Sequence, residues 1–324
     1  MGIFLFSCAV SVAIIGLLLI SKLAWRIAVD VPNDRSLHSR PIPRIGGWGV
    51  IPAAIVASLS FGAVDWPLAG SSLLLFIVSY LDDRVGLPIL IRFTAHAAVS
   101  IAWVVFGPAS LPLLLGGIAV FAIIWSINLY NFMDGANGLA GGMGLIGFLA
   151  YAVGAASHDM ASLTLWSIAL AGASAGFLLF NFSSARVFLG DCGSVPLGFF
   201  VGALGLWGWS AGAWPAWFPF LVFGSFFLDA TVTLVRRLID GERFWRAHAE
   251  HYYQRLIRSG WSHPRTALCE YVLMAVSAGL ATAMLNWSVP AQYAGLATAA
   301  GVFVVLAIFV DRRWLKFQRQ AGKV

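Results

Sequence analysis

Residues 112–139 read PLLLGGIAVFAIIWSINLYNFMDGANGL. From Pro112 to Tyr130 no residue is charged, and an uncharged run of this kind, wound as a helix, crosses a hydrocarbon core about 30 Å thick with about 20 residues. The run then gives way to Asn128, Asn131, Asp134 and Asn137, interleaved with Gly135 and Gly138. If the helix continued, Asn128, Asn131 and Asp134 would share one stripe about 120° wide. Capping a helix end needs one or two such side chains. Four suit oxygen ligation of Mg²⁺ and hydrogen bonding to a sugar or base.

The same pattern of apolar run and polar terminus repeats along the chain. Of 324 residues, 60% are hydrophobic and 10% charged, against roughly a quarter charged in soluble domains. Apolar stretches fall at about 3–23, 46–63, 68–81, 93–107, 112–130, 138–156, 161–180, 192–209, 217–235, 267–285 and 293–310. The expected fold is an all-α polytopic membrane protein with about eleven transmembrane helices, ten at the least, in one domain spanning 1–324. The first stretch lacks the preceding basic residues of a cleaved signal; Lys22 and Arg26 follow it.

The basic residues orient the chain. Of the 20 Lys and Arg, five lie between Lys22 and Arg44, two are Arg84 and Arg92, one is Arg186, seven run from Arg236 to Arg265, and five run from Arg312 to Lys323. The short turns near Asp65, Pro108, Asp159, Gly212 and Trp287 carry none. Because cytoplasmic loops hold the excess of Lys and Arg, the amino terminus is expected in the periplasm and the carboxyl terminus in the cytoplasm. The cytoplasmic segments are then 24–45, 82–92, 128–138, 181–191, 236–266 and the tail 311–324. The net charge of +6 is accounted for by orientation and by anionic headgroups rather than by nucleic acid. Cys8, Cys192 and Cys269 have no metal-ligand or disulfide spacing.

Five polar patches end on that face. The loop 30–47 holds Arg40 and Arg44 among prolines that forbid a regular helix, and reads either as a phosphate-binding loop or as a positive-inside anchor. Asp82 and Asp83 are adjacent carboxylates that repel unless a cation or proton is shared, or they are a solvated helix end beside Arg84. The third patch is 128–139. In the fourth, Phe188-Leu189-Gly190-Asp191-Cys192-Gly193-Ser194, the acid reads as an N-cap or as a cation ligand between two glycines. The fifth, 236–266, carries Arg243, Arg246, His248, His251, Arg255 and Arg258. His248 and His251 would face the same way on a helix. Zinc would want a third ligand, so a basic phosphate pocket or an interfacial anchor fits better.

Acids for a divalent cation and bases for phosphate on one membrane face suit phosphoryl transfer between a soluble substrate and a lipid phosphate. A secondary transporter for an anionic solute would instead place ionisable groups near the midplane in paired repeats. Asp229, inside the ninth stretch, is the residue that reading would use.

The strings SLHSRPIPRIGG, LDDR, NLYNFMDGANGLAGG, VFLGDCGSVPLG and RAHAEHYYQRL, in this order, resemble the polyprenyl-phosphate N-acetylhexosamine-1-phosphate transferase superfamily, glycosyltransferase family 4, over essentially the whole chain. The HxxH spacing and the Arg40/Arg44 loop look more like its O-antigen initiating branch, the WecA and WbpL type, than like the phospho-N-acetylmuramoyl-pentapeptide transferase of peptidoglycan synthesis. The resemblance implies an enzyme of the bacterial inner membrane whose cytoplasmic site moves an N-acetylhexosamine 1-phosphate (GlcNAc, FucNAc or QuiNAc type, with a leaning to a 6-deoxy sugar) from a UDP-sugar to undecaprenyl phosphate. It implies Mg²⁺, with Mn²⁺ as the alternative, on Asp191 with Asn131 as a second contact. Asp82 and Asp83 would serve the acceptor phosphate or its deprotonation. Asp134 and its neighbours, with Asn128, Asn137 and Phe188 counted among them, would belong to the nucleotide-sugar pocket, and His248, His251 and nearby arginines would hold the diphosphate. Direct attack and a covalent aspartyl intermediate both remain open. Two departures stand out: Asn137 occupies a place where many members have Asp, and Asp82-Asp83 lacks the later acid of a DDxxD pattern. A homodimer is the candidate protein assembly.

Overall fold

The computed structural model describes residues 1–32, 40–109, 111–242 and 248–320. Within them the chain runs α1 (Gly2–Ile20), α2 (Ala24–Ile27), β1 (Val29–Asp30), β2 (Ile42–Pro43), α3 (Gly46–Ser60), α4 (Trp66–Val85), α5 (Ile89–Phe106), α6 (Leu113–Phe132), α7 (Leu139–Ala156), α8 (Ala161–Asn181), α9 (Asp191–Ser210), α10 (Trp217–Val222), α11 (Gly224–Ile239), α12 (Tyr252–Arg258), α13 (His263–Met284) and α14 (Val289–Gln320). This is an all-α polytopic membrane protein, with one two-stranded hairpin outside the spans.

Each of the eleven expected stretches coincides with a helix or a helix pair. Eight (α1, α5, α6, α7, α8, α9, α13 and α14) are both long and apolar enough to cross a bilayer. Helix α3 is apolar but shorter, and α4 and the pair α10/α11 fall on the remaining two stretches. The ninth stretch is not one helix. Phe223, at φ −96° and ψ 22°, leaves the helical region between α10 and α11, and its buried ring packs edge-on against Phe148 and Tyr151.

Burial separates a core from a lipid-facing shell: 78% of the most apolar window of α9 is buried inside the protein, against 17% of that of α14. Helix α8 packs on α1, α3 and α7, and α9 packs on α4 and α6. With lipid tails as apolar as the side chains, such association rests on close packing and on hydrogen bonds between helices. Ser7 Oγ on Ala169 O at 2.7 Å, Trp103 Nε1 on Ala203 O at 3.2 Å and Tyr151 OH on Val201 O at 3.1 Å supply such bonds.

Helix α4 shows how local chemistry fixes a terminus that matters for the site. Asp65 accepts a bond from Leu68 N at 2.9 Å, with Pro67 in the first turn. The helix runs on past the apolar residues to Val85, so Asp82 and Asp83 stand in its last turn. The expected irregular first loop is in part a hairpin, Val29 opposite Pro43 and Asp30 opposite Ile42.

Candidate active site

The site forms where this hairpin is laced to the segment before α9. Phe188 N donates to Pro43 O (2.9 Å), Gly46 N to Phe188 O (2.8 Å) and Gly47 N to Leu189 O (2.9 Å), so Arg44 and Phe188 pair side by side. Arg44 thereby bridges two acids, its NH2 group 2.8 Å from Asp30 Oδ1 and its NH1 group 3.1 Å from Asp83 Oδ1. The Asp83 side chain is 2% exposed, and a carboxylate so far from water costs several kcal/mol unless a cation or hydrogen bonds compensate. Cys192 N supplies a longer contact to Asp83 Oδ2 at 3.5 Å.

Asp191 opens α9. The capping position belongs to Gly190, at φ +73°, a conformation that favours glycine. The N-cap reading of Asp191 therefore gives way: its Oδ1 accepts from Asn131 Nδ2 at 3.0 Å, and the same amide also donates to Ser194 Oγ at 2.9 Å. Asn131 orients Asp191 through its nitrogen, and a metal would meet it only through its carbonyl oxygen.

Asp82 and Asp83 do not share one partner. Asp82 takes Arg92 NH1 at 2.9 Å and Leu87 N at 2.7 Å, whereas Asp83 takes Arg44. Arg84, the expected stabiliser of the pair, donates to Tyr80 OH at 2.9 Å.

Helix α6 stops at Phe132, so the anticipated stripe holds only for Asn128 and Asn131, and Asp134 sits in the turn that follows. Desolvation raises the Asp134 carboxyl well above the usual carboxylate range, Asp191 adds to this, and Arg44 partly offsets it. Asn128 turns its amide back to Ile124 O at 2.7 Å. Asn137 braces the loop: its backbone N meets His263 Nδ1 at 3.3 Å and its side chain donates to Ser183 O at 3.2 Å. Arg40 is exposed. Arg243 and Arg246 lie outside the described residues.

The fifth patch closes over this loop, although not as one long helix. His248 precedes α12 and His251 is its N-cap, so helical spacing does not align them. Their rings nevertheless stand 4.8 Å apart, and the His251 ring stacks 6.1 Å from Phe132. Asp229 of α11 holds this arrangement, accepting from Tyr252 N at 2.8 Å and Tyr253 N at 3.1 Å, with His251 Nδ1 at 3.2 Å. The residue open to a transporter reading is thus committed to a helix N-terminus, where the dipole favours an acid. Tyr253 OH reaches Phe132 O at 3.1 Å, and only a glycine at 135 leaves room for that hydroxyl. Burial, helped by His251 and Arg237, pulls His248 down to about 4.

Asp83, Asp134 and Asp191 act on one another electrostatically, and Arg44 is the guanidinium common to all three. That surplus of negative charge in a desolvated site fits a divalent cation. Among the described residues no three His, Cys, Asp or Glu side chains converge to enclose a metal unaided. Mg²⁺ beside a substrate diphosphate needs only one or two carboxylates, so the donor set suits an ion shared with substrate.

Sequence reasoning did not assign Asp30, Arg92 or Asp229 to the site. Asp30 and Arg92 carry a signal in hindsight, as charges flanking motifs that already held the opposite charge. Asp229 carries none, since the groups it holds on α12, two backbone amides and the His251 ring, are more than 20 residues away.

Fold and site together define a polytopic membrane protein with a polar, acid-rich and guanidinium-flanked cluster at the ends of its helices. Residues 66–208 match the model of glycosyl transferase family 4. The decaprenyl-phosphate N-acetylglucosaminephosphotransferase of Mycolicibacterium smegmatis is 30% identical, covering 87% of this chain and 80% of the relative. The probable undecaprenyl-phosphate N-acetylglucosaminyl 1-phosphate transferase of Bacillus subtilis is 28% identical over 81% of this chain and 80% of the relative. The undecaprenyl-phosphate alpha-N-acetylglucosaminyl 1-phosphate transferase of Escherichia coli is 28% identical over 80% and 76%. The chain belongs to glycosyl transferase family 4, in the polyprenyl-phosphate N-acetylhexosamine-1-phosphate transferase superfamily.

Proposed function

We propose that this protein transfers an N-acetylhexosamine 1-phosphate from a UDP-sugar to undecaprenyl phosphate, releasing UMP, at the cytoplasmic face of the bacterial inner membrane. The observation that carries this is the convergence of Arg44, Asp83 and Asp191, from three distant segments, in one desolvated cluster. The relatives named above support N-acetylglucosamine as the first sugar to test, ahead of the 6-deoxy sugars. An O-antigen or other surface polysaccharide would be the destination of the product.

An oxygen of the lipid phosphate attacks the β-phosphorus of the donor, the new O–P bond forms, and the bond from the β-phosphorus to the UMP oxygen breaks. Asp191, with Asp83 and Asp134 in the same cluster, would hold a Mg²⁺, which would supply charge neutralisation for the diphosphate. Arg44 and Arg92 hold Asp83 and Asp82 in place, and either acid serves the acceptor phosphate. Asp134 and the loop it belongs to bind the nucleotide sugar. His248 and His251 present ring nitrogens to the diphosphate.

The test is UMP release by purified protein from a panel of UDP-N-acetylhexosamines with undecaprenyl phosphate, with and without Mg²⁺. Release that requires both the lipid phosphate and the ion is expected. Hydrolysis of the donor without lipid, or no release from any donor, sinks the reading.

A further inference from the structure

The carboxyl-terminal helix does more than cross the membrane. The expected eleventh span ends near residue 310, but α14 continues to Gln320, a further length of about 15 Å at about 1.5 Å per residue. Asp311 stands at the start of this extension. Its two oxygens receive Arg236 in a bidentate pair, NH1 to Oδ1 at 2.8 Å and NH2 to Oδ2 at 2.7 Å, and Arg255 NH1 reaches Oδ1 at 2.9 Å. Arg236 belongs to α11 and Arg255 to α12, so one carboxylate ties three helices.

Both guanidinium groups also lie against the ring of Tyr252, that of Arg236 at 5.4 Å and that of Arg255 at 5.5 Å from its centroid. The far end of α12 is held to α14 as well. Arg313 donates to Ser259 O at 2.6 Å and to Ser259 Oγ at 2.9 Å, and Arg258 lies over Trp314 at 5.2 Å. Beneath them Tyr252, Leu256 and Val310 form a small apolar cluster. Helix α12, seven residues long, is too short to hold a shape alone. Its position is set by Asp229 beneath its first turn and by α14 along its side.

Isolated ion pairs at this degree of exposure add little stability. A bidentate pair shared with a second guanidinium, both of them against one aromatic ring, fixes geometry instead. The residue that α12 carries at its N-cap is His251, with the His248 ring against it. We infer that Asp311 is a positioning residue, which sets the histidine pair over the diphosphate by holding Arg236 and Arg255 against Tyr252. This rests on the functional reading given above, and it assigns the cytoplasmic end of α14 to the donor side of the reaction.

The experiment compares wild type with Asp311→Asn and Asp311→Glu, using UDP affinity by calorimetry as a readout that needs no turnover. Michaelis constants for the UDP-sugar and for undecaprenyl phosphate are measured separately. Misplacement of positioning groups costs on the order of ten- to a hundred-fold. Asp311→Asn should weaken UDP binding and raise the donor KM by that order, leave the acceptor KM within about twofold, and be largely rescued by Asp311→Glu. If the Asn variant is not recovered folded, Arg255→Gln removes one guanidinium and should show the same donor-selective defect. Unchanged UDP affinity in both variants, or equal loss for donor and acceptor, overturns the inference. A wild type that binds UDP but turns over no UDP-sugar defeats the functional reading, and the affinity comparison then decides on Asp311 alone.

Discussion

The side-chain amide of Asn131, at the end of α6, holds Oδ1 of Asp191, at the start of α9, at 3.0 Å. The bond fixes the carboxylate within the acidic cluster, at the place proposed for the cation. Asp191→Asn keeps the shape and removes the charge, so it should lower transfer by orders of magnitude with no loss of folded protein. Asn131→Ala keeps the charge and frees the carboxylate, and it should cost about ten- to a hundred-fold, as loss of an orienting partner does at metal sites. Transfer rates of detergent-purified variants at matched monodisperse yield decide this. An active Asp191→Asn enzyme defeats the metal assignment.

Arg44 carries a second relationship open to measurement. Replacing it with Met leaves Asp83 buried and without its guanidinium, which should cost about 1–3 kcal/mol, the penalty for an unsatisfied buried polar group. Adding Asp83→Asn should recover much of that loss, because the double variant no longer buries an unpaired charge. Thermal unfolding of the two single variants and the double variant in detergent measures the coupling. Strict additivity would show that the 3.1 Å contact carries no stability.

The spans were legible because an apolar run of sufficient length has few other uses, and the ends of the runs identified Asp83, Asp134 and Asp191. Arrangement was not legible. Whether Asp82 and Asp83 would share a cation or take separate guanidiniums depends on where the hairpin at 29–43 docks, and that docking is carried by backbone bonds to Phe188 and Leu189, for which the only mark in the sequence is Gly46-Gly47, where a Cβ would collide with the backbone of Leu189 and Gly193. The stop of α6 at Phe132 was missed because helical spacing extends equally well on paper to Asp134. The part of Asp229 was hidden for the same reason as the hairpin: its partners are the amides of Tyr252 and Tyr253, and every residue but proline has an amide.

His248 makes the protein sensitive to acid with a definite sign. Its ring is held near 4 by burial, by His251 and by Arg237, against 6.5 for the free side chain. Between these values the unfolded chain binds the proton and the folded one does not, so stability is full above about pH 6.5 and declines as the pH falls toward 4. His248→Gln removes that slope. The difference in melting temperature between wild type and His248→Gln should therefore shift against the wild type on going from pH 7.5 to pH 5. A difference that stays constant, or moves the other way, would show that the ring titrates as if in water.

Gly135 lies against Tyr253 where the loop after α6 meets α12. A methyl group at 135 would collide with the Tyr253 hydroxyl, while the ring carbon behind that hydroxyl would lie 3.2 Å away. Gly135→Ala should therefore push α12 outward and weaken transfer on the order of tenfold, the scale of small misplacements near a reacting group. Tyr253→Phe alone loses the hydrogen bond to Phe132 O, worth about 0.5–1.5 kcal/mol. Combining the two removes the colliding atom, and the neighbour at 3.2 Å has only a few tenths of an ångström to give. The double variant should consequently be more active than Gly135→Ala alone, an ordering opposite to that of two independent defects. Steady-state UMP release by the four proteins tests it, and a double variant worse than either single one would mean that the loop and α12 do not meet through this pair.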